Sequence, residues 1–263
     1  MSKAKHWPRS LGKKNEKYVP NDISTLIRMN TPENIFLSHA SALACWAVVG
    51  HLGLDDRTRS DVRYPSTSVK NATTILDLGL LQSKFMGKLP TPLDILVPSH
   101  GRTFKSGLVT CHLCTHDVPP EGFRRLTDHI YISSPELTFV QMGTLLTDTQ
   151  LALVGMMLCG KYSIAPNQDR SLIERKPVST LESLNAMVDA CDGMRGVSVA
   201  RRAIDMCVEK SRSPRESVLL LLLCCKRSMG SYELVRPDIN RSINLSPAGA
   251  AIAGRSELAP DLC

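Results

Sequence analysis

The strongest constraint on the fold is a change of pattern at residue 134. Upstream, short apolar stretches read as strands: Leu93 to Val97, Gly107 to Cys114, Phe123 to Leu126 and His129 to Ile132. Downstream, helix-start signals recur at Ser134-Pro135-Glu136, Thr147-Asp148-Thr149-Gln150, Thr180 and Ser213-Pro214-Arg215-Glu216. In each, a hydroxyl is placed to accept from an orphan N–H of the first turn, and proline at the first helical position has no N–H to lose. Apolar residues then follow helical spacing, as in Leu181, Leu184, Met187, Val188 and Cys191, or Ala200, Ala203, Ile204 and Cys207. Strands followed by helices argue for α+β rather than an alternating α/β sheet. The expectation is helices with a small antiparallel β region.

The remaining stretches divide as follows. Asp22 to Met29 predicts a short helix, and Ser38 opens an apolar helix through Val49 that Gly50 closes. Residues 51–91 predict no firm element. Pro98 to Arg102 predicts a turn, and Ala165 to Pro177 a polar loop. Val197 to Lys210 predicts a helix, and the helix from Ser213 runs to about Ser228. Tyr232 to Arg236 and Ile239 to Leu245 are strand candidates, whereas Ser246 to Cys263 is rich in small residues and predicts no completed element.

Charge is concentrated. Residues 1–20 carry Lys3, Lys5, Arg9, Lys13, Lys14 and Lys17 against Glu16, a net +5 of the chain's +7. A solvated basic arm and an arm that tracks phosphates both fit this run. Arg102 and Lys105 add candidate phosphate contacts near the strand region, beside Arg124 and Arg125. With five Tyr, five Phe and two Trp, a base-stacking platform for single strands is not expected. The N-terminus has no apolar signal core, and Val218–Cys225 and Leu151–Cys159 fall short of the roughly 20 residues of a membrane span. The expectation is a cytoplasmic protein with no membrane partner.

The nine cysteines sit mostly in apolar contexts, as expected of small core hydrophobes in a reducing compartment. Cys111-His112-Leu113-Cys114-Thr115-His116 has metal-ligand residue types, yet no second half-site occurs elsewhere. The run reads better as a strand, with His112 and Cys114 on one face and Cys111 and Leu113 on the other. His39, just after an N-cap serine, reads as a hydrogen-bonded or surface histidine. No nucleophile-elbow order of Ser, His and Asp occurs, and no phosphate-binding glycine loop.

Three stretches carry a family resemblance. Phe36-Leu37-Ser38-His39-Ala40-Ser41-Ala42-Leu43 resembles the start of the AbiEi-antitoxin-like region of many actinobacterial proteins. Ile130-Tyr131-Ile132-Ser133-Ser134-Pro135-Glu136-Leu137-Thr138 resembles its strand-to-helix signature. Arg212-Ser213-Pro214-Arg215-Glu216-Ser217 followed by Leu219–Leu223 resembles the opening helix of the endonuclease-like region that often follows. That region is similar to very-short-patch-repair endonucleases, of the PD-(D/E)xK class. Arg236-Pro237-Asp238-Ile239-Asn240, Leu245-Ser246-Pro247 and Pro260-Asp261-Leu262 continue the pattern.

The charge count gives a basic, disordered arm over 1–20; the resemblance implies an AbiEi-like α+β domain over 21–210 and the N-terminal part of a restriction-endonuclease-like α/β unit over 213–263. It implies Mg²⁺-dependent DNA cleavage with Glu216 and Asp261 as the acids, Asp261 holding the metal. The sequence stops two residues after Asp261, before any (D/E)-x-K strand, and Glu174-Arg175-Lys176 lies upstream in a polar loop. The expectation is a DNA-associated protein that neither cleaves DNA nor binds Mg²⁺ by itself. Ser213-x-x-Glu216 is also a capping box, which gives Glu216 a structural role, and Asp238 after Pro237 reads as a turn residue. The alternatives are a non-enzymatic antitoxin-like regulator that binds DNA or a toxin protein through 36–210, and a truncated product without function.

Overall fold

The computed structural model describes residues 34–48, 64, 89–100, 103, 107, 109–126, 129–164, 172–237, 239–240 and 242–258. The helix expected over Asp22–Met29, the arm cations Lys3, Lys5, Arg9, Lys13, Lys14 and Lys17, together with Arg102, Lys105, Asp238 and Asp261, lie outside the described residues. The chain is α+β.

Its centre is a five-stranded sheet of β1 (Ile35–Leu37), β2 (Leu93–Val97), β3 (Val109–Leu113), β4 (Phe123–Arg125) and β5 (Ile130–Ser133), in the order β3-β2-β1-β5-β4. The antiparallel expectation needs correction, because the sheet is mixed. β1 runs parallel to β5, with Phe36 opposite Tyr131, and β2 runs parallel to β3; the β1–β2 and β4–β5 pairs are antiparallel. The reason is that β1 and β5 each end in a helix. α1 (His39–Ala47) follows β1 and α2 (Pro135–Met142) follows β5. The two strand–turn–helix units run the same way side by side, and α1 lies against α2.

The segments Phe36–Leu43 and Ile130–Thr138 are therefore neighbours. Ser133 Oγ donates to Leu37 O at 3.1 Å, and Trp46 Nε1 of α1 donates to Ser133 O at 2.8 Å. Both strands are buried along their whole length, so the sheet is covered on both faces. Phe36 packs against Phe123, Tyr131 and Tyr64, with ring centroids 4.8–5.3 Å apart.

Four expected caps form. Ser134 accepts from Leu137 N–H, Thr147 from Gln150 N–H, Thr180 from Ser183 N–H and Ser213 from Glu216 N–H. They start α2, α3 (Asp148–Leu158), α4 (Leu181–Ala190) and α6 (Pro214–Cys224). Between the last two, α5 (Val197–Ile204) is shorter than expected. Cys207 still reaches the core, but through tight turns in which Met206 N–H donates to Ala203 O and Cys207 N–H to Ile204 O. α6 likewise ends at Cys224, followed by a short 3-10 turn over Arg227–Met229. Where α2 ends, α5 begins against it. A Cβ on Gly196 would lie 2.3 Å from Val140 O, and its φ of 96° suits glycine alone.

The expected polar loop is half a hairpin. β6 (Tyr162–Ile164) pairs antiparallel with β7 (Leu172–Glu174). Ser163 Oγ donates to Ala47 O at the end of α1, and Tyr162 OH meets Ser217 Oγ on α6 at 2.9 Å. The strand expected over Tyr232–Arg236 is absent; of the second candidate only β8 (Ile243–Asn244) forms. Its partner is β9 (Glu257–Leu258), across α7 (Pro247–Ala253), in the stretch where no element was expected. Among the described residues no helix is long and apolar enough to cross a membrane.

Candidate functional site

The sheet brings polar groups together at the start of α1. β1 ends at Leu37, and Ser38 is extended. His39 then takes a left-handed conformation, with φ of 46°. A histidine with positive φ is held by its surroundings against a local cost. Here Ser38 N–H donates to Asp94 O at 3.0 Å, and His39 N–H donates to Gln141 Oε1 of α2 at 3.2 Å. These bonds tie the turn to β2 on one side and to α2 on the other.

Ser38 occupies the N-cap position but does not cap with its side chain. Its hydroxyl meets His39 Nδ1 at 2.9 Å. The cap comes instead from the neighbouring strand: Asp94 Oδ2 accepts from Ser41 N–H at 3.2 Å and from Ser41 Oγ at 3.4 Å. Asp94 N–H returns a 2.8 Å bond to Ser41 Oγ. A carboxylate at a helix start is favoured by the helix dipole as well as by the bonds.

The other oxygen, Asp94 Oδ1, accepts from His112 Nε2 at 2.7 Å. Asp94 and His112 belong to adjacent strands, in a register that pairs Asp94 with Thr110 and Leu96 with His112. They are diagonal neighbours on one face, within reach across a strand pair. A carboxylate oxygen accepts, so His112 Nε2 is the donor of this bond. The His112 ring stacks on His39 with centroids 3.7 Å apart and planes 18° apart. The three polar residues form one column: Asp94 braces His112, and His39 lies flat against it.

Burial sets the charge state of His39. It is 4% exposed, and its pKa is lowered to about 3. Loss of hydration is the main cause, the His112 charge adds to it, and Asp94 opposes it. His39 is neutral throughout the physiological range. Nearby, Cys114 is buried, its thiol donates toward His116 O at 3.8 Å, and burial raises its pKa.

The column faces a cleft of about 620 Å³ that also meets His100, Thr103, His116, Gln141 and Arg195. A base oriented by a fixed carboxylate, open to a cleft of ligand size, is equipped to exchange a proton with a bound molecule or to hold an anion when charged.

The structure places the residues singled out from sequence differently. The Cys111–His116 run is strand β3 as far as Leu113, as expected, and His39 is buried and hydrogen-bonded. Among the described residues no three or more His, Cys, Asp or Glu groups converge as a metal site. Glu216 lies at the start of α6, away from this cleft. Its Oε2 accepts from Arg212 N–H at 2.9 Å and from Asn240 Nδ2 at 3.1 Å, and its Oε1 accepts from Ser213 Oγ at 3.1 Å.

Sequence reasoning missed the Asp94–His112 pair and its contact with His39. The only available signal was parity, which puts His112 on one face of its strand; nothing local says which strand lies beside it. No protein family, curated protein or solved structure matches the chain.

Proposed function

We propose that the chain is a DNA-associated protein of the endonuclease-like lineage, acting by binding rather than by phosphodiester hydrolysis. The observation that carries this reading is the use made of Glu216. Its carboxylate receives the Arg212 N–H, the Ser213 hydroxyl and the Asn240 amide. Lone pairs engaged with three donors at a helix start are not offered to Mg²⁺, so the donor set does not fit the metal at this position. In this reading residues 213–263 are the N-terminal part of a restriction-endonuclease-like unit, residues 21–210 an AbiEi-like domain, and the protein works in the cytoplasm. DNA association draws support from Lys3, Lys5, Arg9, Lys13, Lys14 and Lys17, with Arg102 and Lys105 as further cations.

A second reading, an antitoxin-like regulator that docks a toxin protein, is favoured by one observation. Val218, Leu219 and Leu222 on α6 and Leu234 and Val235 beyond it are all exposed, Val235 by 93%. Exposed apolar side chains close in sequence suit a protein partner.

The test is a pair of assays on the full chain. Duplex DNA is expected to bind at low salt, to release at higher salt, and to bind more weakly once residues 1–20 are deleted. Supercoiled DNA is expected to stay intact with Mg²⁺. Mg²⁺-dependent nicking that is lost in Glu216→Gln contradicts the proposal. DNA binding that is absent at both salt concentrations removes its first half and leaves the protein-partner reading.

A further inference from the structure

The cleft beside the His39–His112 stack has an unusual lining. Four of the chain's seven histidines meet it: His39, His100, His112 and His116. Arg195 joins them from the segment between α4 and α5, and among the described residues no Asp or Glu lines it. Asp94 stands behind His112, with its side chain 13% exposed and its oxygens engaged by Ser41 and His112. Arg195 is exposed and makes no ion pair among the described residues. The neutral donors are the Gln141 amide, whose oxygen is held by His39 N–H, and the Thr115 hydroxyl; the Thr103 and Thr144 hydroxyls donate to His100 O and Gln141 O.

We propose that this cleft is a binding site for a phosphate ester, with Arg195 and the Asp94-braced His112 as its two anion contacts. The reasoning runs from charge and shape. Cationic and neutral donors reach the cleft from α1, β3, α2 and the segments around them. That distribution suits an anion with oxygens in several directions, a tetrahedral phosphoryl group more than a planar carboxylate. The volume, about 620 Å³, lies in the range of small-molecule sites.

His112 donates its Nε2 proton to Asp94 and leaves Nδ1 without a partner among the described residues. With a proton on it, Nδ1 is the ring atom that donates to the anion. The proposal uses neither Glu216 nor residues 1–20, so it stands or falls apart from the DNA reading.

The experiment is calorimetric titration of the full chain with inorganic phosphate, adenosine 5′-monophosphate, a 5′-phosphorylated dinucleotide and acetate, at constant ionic strength. Phosphate or its esters are expected to bind and acetate to fail. The dinucleotide and the monophosphate tell a nucleic-acid end from a free nucleotide as the source of the phosphate.

Arg195→Gln, a change at an exposed side chain, is expected to weaken binding roughly tenfold or more, the usual loss for a charge-assisted bond. His112→Gln is expected to weaken binding, with the fold checked by circular dichroism. The proposal is overturned if acetate binds as tightly as phosphate, if nothing binds, or if Arg195→Gln leaves every affinity unchanged.

Discussion

His39 makes the stability of this protein depend on pH in a defined window. Its imidazole is buried, and its pKa falls from 6.5 to about 3 on folding. Between those values the unfolded chain binds a proton that the folded chain excludes. Stability is complete above about pH 6.5 and falls as the pH drops toward 3, by at most about 1.4 kcal/mol per unit. From pH 7 to pH 5 this amounts to about 2 kcal/mol, because the linkage begins only below the unfolded value.

The comparison variant is His39→Asn. Asparagine tolerates the left-handed backbone that position 39 adopts, and it does not titrate. Both proteins lose stability in acid through groups they share, so the quantity of interest is the difference between them. Urea unfolding midpoints at pH 7, 6 and 5, converted with a common slope, give that difference directly. The wild type should lose about 2 kcal/mol more than the variant over this range. Equal losses would refute the claim that a buried neutral imidazole sits at the start of α1.

Other perturbations test the supports of the fold. Glu216→Ala removes the acceptor for Arg212 N–H and Asn240, and should lower stability by about 1 kcal/mol; calorimetric melting reads this, and an unchanged transition counts against the cap. Gly196→Ala places a methyl 2.3 Å from Val140 O at a left-handed residue. It should cost at least about 2 kcal/mol, seen as a lower denaturant midpoint. Asp94→Asn keeps the size of the side chain but removes its charge from Ser41 and His112. It should lower stability by about 1–3 kcal/mol near pH 7, a loss measurable in the same urea titrations.

What was legible in the sequence followed its range of interaction. Ser134, Thr147, Thr180 and Ser213 act within one helical turn, and the helices they start were readable at once. Strand β2 was readable to the residue because its alternating, β-branched run is long enough to show a pattern. β6, β7 and β9 were not, since strands of three and two residues carry no period and exist only through partners elsewhere. α7 had a legible cap in Ser246-Pro247, but Ala248-Gly249-Ala250-Ala251 offers no apolar stripe to confirm a helix.

The candidate site shows the same division more sharply. His39 and the Cys111–His116 run were each noticed and each assigned to a structural role. Their meeting depends on β1, β2 and β3 lying side by side. Asp94 drew no notice at all, because its part, capping a helix that begins 55 residues earlier in the chain while bracing a histidine on the next strand, has no local signature. Glu216 carried its own answer in the spacing from Ser213, and the carboxylate is found at the cap.

The DNA-binding claim is tested most directly by the salt dependence of duplex binding. The full chain is compared with a variant in which Lys3, Lys5, Arg9, Lys13, Lys14 and Lys17 are all changed to Gln. If those six cations meet phosphates, the slope of log K against log salt for the full chain is about −5, and neutralising them reduces it to about −1 or less. An equally steep slope in both proteins, or no binding by the full chain at low salt, would contradict the account.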